Sequence, residues 1–303
     1  MQRLRMSRRG FTMVELLVAL VLLGLVSAAL YRVLVNNQRL YFAQTQRIDL
    51  SQNIRAATNI LPAEFRELDA LDGDITAMSA TSISIRAMRW LSFVCSPPVL
   101  GVGNVNLQMT VRGGQPGQPM FFGARNIRVG TDSLLIYLDG DPTTRTDDYW
   151  VPAQLTAQVG GTCPAAGAVP AAAQPASVLT FNGNFFAGTN VANAIPMGAP
   201  VRGFERVTYQ LYQPPGDTLW YIGFQPAGGT MQPLIGPILA NGLTFSYVGV
   251  DGNVTASRFL VARIDITVRA RTTSAVRGGG MAAAAVMVDS VTTSVALRNN
   301  RRF

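Results

Sequence analysis

Residues Arg9 to Leu20 read RGFTMVELLVAL, and the odd letter in that run is Glu15, a carboxylate near the start of an otherwise uncharged apolar segment. From Leu16 to Tyr31 no residue is charged, and Phe11 to Tyr31 is interrupted only by Glu15. As a helix that stretch is about 31 Å long, enough to cross the hydrocarbon core of a bilayer. Arg32, Arg39 and Arg47 follow it almost as densely as Arg3, Arg5, Arg8 and Arg9 precede it, so flanking charge does little to set its orientation.

Outward from this segment, helical character continues. Leu50, Ile54, Ala57 and Leu61 recur at helical spacing, with Arg39, Gln46, Gln52 and Asn53 expected on other faces. No Gly or Pro lies between Gly24 and Pro62, which predicts one long helix that Pro62 ends or kinks, with a further turn or two over Ala63 to Leu71.

Beyond Asp72 the signals are short strands. Ser82 to Met88 and Ser133 to Leu138 read as strands, separated by a turn at Gly113 to Gly117. The stretch 160–176 is rich in Ala, Pro and Gly and reads as a surface loop tied at Cys163. Val207, Tyr209 and Leu211 alternate toward one face, and Leu219 to Phe224 is expected to pair with them across Pro214 to Asp217. Ala262, Ile264, Ile266 and Val268 face inward on a half-buried antiparallel strand, with Phe245 to Gly249 and the turn at Asp251 to Asn253 leading into it. The fold class is therefore α+β: a long N-terminal helix, apolar in its first half, packed on an antiparallel β-sheet domain.

Composition narrows the chemistry. The net charge is +8, and with no lysine or histidine present every basic residue is an arginine. Losing the first nine residues leaves about +4, and the remaining arginines are scattered rather than striped, which makes nucleic acid an unlikely partner. The absence of histidine removes the commonest general base and transition-metal ligand, and scattered serines then make no hydrolytic triad. Gly278 to Gly280 lacks the lysine and context of a phosphate loop. Asp139, Asp141, Asp147 and Asp148 around Gly140 are the best calcium candidates, but they lack EF-hand spacing and read more simply as a hydrophilic turn. We expect no enzyme, cofactor or metal. Cys95 and Cys163 are either one disulfide, contributing roughly 4 kcal/mol on the chain-entropy model, or two separate buried thiols.

Three readings of the N-terminus compete. A secretory signal peptide cleaved near Val26-Ser27-Ala28 is one, and a twin-arginine signal starting at Ser7-Arg8-Arg9-Gly10-Phe11 is another. Neither gains from a carboxylate inside its apolar run, where insertion is penalised by up to about 3 kcal/mol at mid-membrane depth. The third is a resemblance. Gly10, Phe11, Thr12, Met13, Val14, Glu15 and the apolar helix behind them resemble the start of type IV prepilins and type II secretion pseudopilins, with Met13 where Leu is commoner. More loosely, Val207 to Leu211, Phe245 to Tyr247, Asp251-Gly252, the Ile264 strand and Val295 to Asn299 resemble the larger minor pilins related to the W-type minor pilin and the J-type pseudopilin.

The resemblance implies a leader at residues 1–10, a transmembrane and assembly segment at 11–31, an amphipathic continuation at 32–71 and a globular domain at 72–303. It implies cleavage by prepilin peptidase between Gly10 and Phe11, N-methylation of Phe11, and pairing of Glu15 with the N-terminal amine of a neighbouring subunit. It further implies other minor and major pilins or pseudopilins and an inner-membrane assembly platform as partners. The chain would then cross the bacterial inner membrane once, N-terminus cytoplasmic and globular domain periplasmic or extracellular.

Overall fold

The structure is a computed structural model that describes Thr12 to Arg298, apart from residues 101–105, 121, 124, 140, 142, 145–147, 165–173, 183–194 and 278–282 and the side chains of Leu100 and Asn106. Among the described residues it has one helix, α1 (Met13–Arg66), followed by strands. The chain forms two units: one holds the helix up to Gln52 together with Thr272–Val288, the other holds Asn53–Arg271 with the C-terminal residues from Asp289.

In the first unit the helix is exposed at every residue from Thr12 to Leu34. A segment apolar on all sides with no packing partner is long and apolar enough to cross a membrane. Ala43, Gln46 and Leu50 are the first buried positions. Gln46, off the apolar stripe in sequence, is nonetheless buried, and its Oε1 accepts hydrogen bonds from the backbone N–H groups of Thr273 (3.0 Å) and Ser274 (3.4 Å). Those residues begin an arm that folds back on itself, with reciprocal bonds between Val276 and Ala285 at 2.9 and 3.1 Å. A glutamine accepts two amide donors here, so its burial leaves no acceptor unmet.

The second unit is built on strands β1 (Ile75–Met78), β2 (Ser82–Leu100), β3 (Asn106–Arg112), β4 (Phe122–Gly123), β5 (Ser133–Leu138), β6 (Tyr149–Cys163), β7 (Gln174–Asn182), β8 (Pro200–Tyr212), β9 (Trp220–Gln225), β10 (Gln232–Gly249), β11 (Val261–Arg271) and β12 (Val288–Ala296). All pairings with a described register are antiparallel. Because β2 pairs with both β3 and β8, they close a circuit that runs β2, β3, β7, β6, β5, β8 and back to β2. The strands of this circuit share one buried cluster around Trp90, Met109, Ile136, Leu155 and Phe181. At β8 the sheet forks: its first half pairs with β5, its second with β9, and β9, β10, β11 and β12 extend from there.

The end of α1 lies on that extension. Leu61, Phe65 and Leu68 are fully buried, and the Phe65 ring meets Tyr209 edge-on at 5.8 Å and Phe245 at 6.0 Å. This explains why Pro62 fails to end the helix, which runs on to Arg66 rather than stopping at 62 or reaching 71. An interior proline costs about 3 kcal/mol. Burying Leu61 and Phe65 on either side of it contributes a comparable or larger amount, at roughly 1.5–3 kcal/mol each.

Several strands are longer than their sequence signals. Gly160 to Cys163 continue β6 and Gln174 begins β7, so the expected loop is strand at both ends, and its middle lies outside the described residues. The turn at Asp251 to Asn253 returns the chain to Val254, which bridges Val248, and the connection to β11 runs on to Leu260. Ser133 to Leu138, the β8 alternation and the β11 inward face stand where the sequence placed them.

Candidate functional site

The N-terminal candidate site begins at a helix cap. Thr12 stands just before α1, and its Oγ1 accepts a hydrogen bond from the backbone N–H of Glu15 at 3.3 Å, while its carbonyl accepts from Leu16 N–H at 3.2 Å. Thr12-x-x-Glu15 is thus the spacing of a capping box, in which the first-turn donors of the helix find partners. Glu15 is exposed, in the first turn, where the helix dipole favours an anion. Gly10 and Phe11 lie outside the described residues.

Cys95 in β2 and Cys163 at the end of β6 form a disulfide with Cα atoms 5.5 Å apart and a sequence separation of 68. Both are buried beside Ala176 of β7. The bridge therefore joins two strands of the closed circuit that do not pair with each other directly.

A second constellation has no signature in the sequence. Arg89 in β2 donates from Nη1 to both carboxylate oxygens of Glu64 on α1 (2.8 and 3.1 Å) and from Nε to Glu205 of β8 (3.1 Å). Arg125 donates from Nη2 to the same Glu205 oxygen (3.1 Å) and holds Asp132 with both terminal nitrogens (2.6 and 2.9 Å). Glu205 and Asp132 are buried. Burial pulls down the pKa of Arg89, but Glu64 and then Glu205 more than offset it, leaving the guanidinium above the ordinary arginine value. Arg125 is raised in the same way, by Asp132 and then Glu205. The ladder fastens the last turns of α1 to the sheet; residues Glu64, Arg89 and Glu205 lie too far apart in sequence for spacing to connect them.

Of the acidic candidates, Asp141 Oδ1 accepts from Thr143 N–H (2.9 Å) and Thr143 Oγ1 (2.7 Å), the local bonds of a polar turn that hold its pKa below the usual carboxylate value. Asp139 and Asp148 are described, whereas Gly140 and Asp147 lie outside the described residues. Among the described residues no group of three or more acidic or cysteine side chains is placed to hold a metal ion.

Compared with known protein families, residues 5–31 match a family model described as the prokaryotic N-terminal methylation motif. No curated protein and no solved structure matches the chain. The matched segment includes Gly10 and Phe11, the Thr12–Glu15 cap and the exposed apolar first part of the helix, so the cap and the apolar helix lie within the motif. It implies processing by prepilin peptidase and assembly with other pilins, and its family is structural rather than enzymatic. Through residues 5–31 this chain carries the N-terminal signature of the type IV pilin and pseudopilin superfamily.

Proposed function

We propose that the chain is a minor pilin: cut between Gly10 and Phe11 by prepilin peptidase, methylated on Phe11, and built into or priming a type IV pilus through its N-terminal helix. The observation that carries the reading is the motif at residues 5–31, with Glu15 in the first turn of a helix exposed on all sides. On this reading residues 1–10 are the leader and 11–31 cross the inner membrane with the new N-terminus cytoplasmic. A disulfide such as Cys95–Cys163 supports a periplasmic or extracellular domain, because such bonds persist in oxidising compartments. Glu15 pairs with the amine of a neighbouring Phe11, so that two charges enter the filament core as a neutral couple, and an unpartnered subunit is rejected.

The large strand-rich globular part supports kinship with the larger minor pilins related to the W-type minor pilin. The motif serves type II secretion pseudopilins equally well, and that is the second reading. Mass spectrometry of the mature chain tests the class: N-methyl-phenylalanine at Phe11 is expected, and a chain starting near Ala28 or Ala29 overturns it in favour of conventional export. Recovery in sheared pili, rather than only in cells carrying a secretion system, separates the two filament assignments.

A further inference from the structure

The first unit contains a cleft of about 320 Å³ between the helix and the returning arm, lined by Arg39, Phe42 and Ala43 on one side and Val276, Arg277 and Ala284 on the other. We infer that this cleft binds the phosphate headgroup of an anionic phospholipid at the surface of the membrane the helix crosses. The inference rests on the reading of residues 11–31 as a membrane span.

Three observations converge on it. The first is charge. No acidic residue occurs between Glu15 and Asp49 or anywhere in 272–288, so the ionic groups that helix and arm bring to this region are arginines alone. The cleft has an arginine on each wall, Arg39 on the helix and Arg277 on the arm, and the planar fork of arginine matches phosphate oxygens.

The second is depth. If the hydrocarbon layer ends near Tyr31, the Arg39 Cα stands about 12 Å beyond it along the helix. Helical side chains lean toward the N-terminus, here toward the membrane, and a long arginine reaches back by about one turn. That brings its charge to the headgroup layer, which is about 5–8 Å thick on each side of the hydrocarbon.

The third is the lining between the charges. Phe42, Ala43, Val276 and Ala284 are apolar, a poor seat for a free hydrated anion but a suitable one for the glycerol and upper acyl chain of a lipid whose phosphate meets the arginines. The arm is held where this requires. Gln46 fixes Thr273 and Ser274, and from there the arm runs toward the N-terminal side of the helix, placing Val276 and Arg277 beside Arg39 to Ala43.

The test uses the full-length chain in detergent, offered equal amounts of phosphatidylglycerol and phosphatidylcholine, with bound lipid counted by native mass spectrometry. Retention of one phosphatidylglycerol in preference to phosphatidylcholine is expected. Arg39→Gln with Arg277→Gln should cut that retention about tenfold or more, given the contribution of each basic side chain near an anionic surface. The Arg39→Lys, Arg277→Lys pair should keep most of it, and the outward Arg263→Gln, Arg269→Gln pair should keep all of it. Arg39→Gln alone leaves the arm sequence intact and should show a smaller loss in the same direction.

An unchanged preference in the glutamine pair, or none in the wild type, overturns the proposal. So does displacement of the lipid by an equal concentration of inorganic phosphate, which reveals a plain anion site. Loss of filament incorporation in the glutamine pair without any lipid preference assigns the cleft to a neighbouring subunit's carboxylates instead. Carbonate-resistant flotation of the wild type with pure phosphatidylcholine vesicles checks the span separately: failure there sinks the membrane reading, not the cleft's selectivity.

Discussion

Thr12 and Glu15 are joined across the first turn of α1, the threonine hydroxyl accepting the glutamate's own backbone N–H at 3.3 Å. Glu15 therefore occupies the N3 position behind its Thr12 cap, with the spacing of a capping box, as well as the position whose charge the proposed assembly uses. Glutamine separates the two roles, because it serves the box as well as glutamate does but carries no charge. We expect Glu15→Gln and Glu15→Ala alike to insert and be cleaved, yet to fall at least about tenfold in sheared filaments, since breaking a buried pair costs several kcal/mol. Wild-type incorporation of Glu15→Gln would reduce the residue to a cap. Thr12→Ala should instead cost about 1 kcal/mol at the helix start, read as faster amide exchange over residues 13–17.

Arg89 bridges α1 and the sheet, so its loss takes the ion pair from Glu64 and leaves Glu205 with Arg125 alone. Glu205 is only 5% exposed at its side chain and Glu64 23%. Removing one partner of a buried pair is costlier than the net value of the pair. Arg89→Met should destabilise the second unit by about 3–5 kcal/mol, measured by urea unfolding. A double change that also replaces Glu205 by Gln should recover part of the loss, and strict additivity of the two would show that the ladder is not coupled.

Trp90 and Gly203 face each other in the β2–β8 register. A Cβ on Gly203 would stand 1.9 Å from Trp90 Cε2, and one on Gly123, on the other side, 2.8 Å from Trp90 Cβ. The indole is buried, so it has no free direction to yield. Gly203→Ala should cost about 3 kcal/mol by overpacking, and adding Trp90→Leu should make the alanine cheaper than it is alone. Equal cost in both backgrounds would place the strain elsewhere.

What the sequence disclosed and what it hid divide along the range of the interactions. The helix, the β8 and β11 faces and the Phe11–Glu15 start are local: a period or a spacing within a few residues carries each of them. Even the Thr12 cap was there to read in the spacing Thr12-x-x-Glu15. The Arg89 ladder and the arm on Gln46 depend on distant pairs, such as Glu64 with Arg89 at a separation of 25, Arg89 with Glu205 at 116 and Gln46 with Thr273 at 227, and the circuit closes only through equally distant strands such as β2 and β8. No periodicity reports such meetings. Pro62 misled because a local rule was outweighed by burial of Leu61 and Phe65, which is tertiary.

Cys95 and Cys163 are separated by 68 residues, and the bridge ties β2 to the end of β6. On the chain-entropy model a closed loop of this length contributes about 4 kcal/mol. The Cys95→Ser, Cys163→Ser pair should lose stability of that order in urea unfolding. In cells, wild-type thiols should resist alkylation until reduced. Thiols that alkylate freely without a reductant would argue against an oxidising location for the domain.

Asp74 is 4% exposed and carries the clearest pH signal. Burial pushes its pKa up to about 6, against a backbone hydrogen bond from Asp69 and the nearby charges of Arg202 and Arg86, which lower it. Its Oδ2 accepts that bond from Asp69 N–H at 2.9 Å. The folded value lies above the unfolded one, so the folded state holds the proton more tightly. The stabilisation is complete below about pH 4 and is lost as pH rises through about 6. Asn keeps the acceptor oxygen but never ionises. The stability difference between Asp74→Asn and wild type should therefore shift in favour of the variant by about 2 kcal/mol between pH 4 and pH 7.5. Urea midpoints at both pH values measure it, and a difference constant across that window would show that the Asp74 carboxyl titrates alike in the folded and unfolded chain.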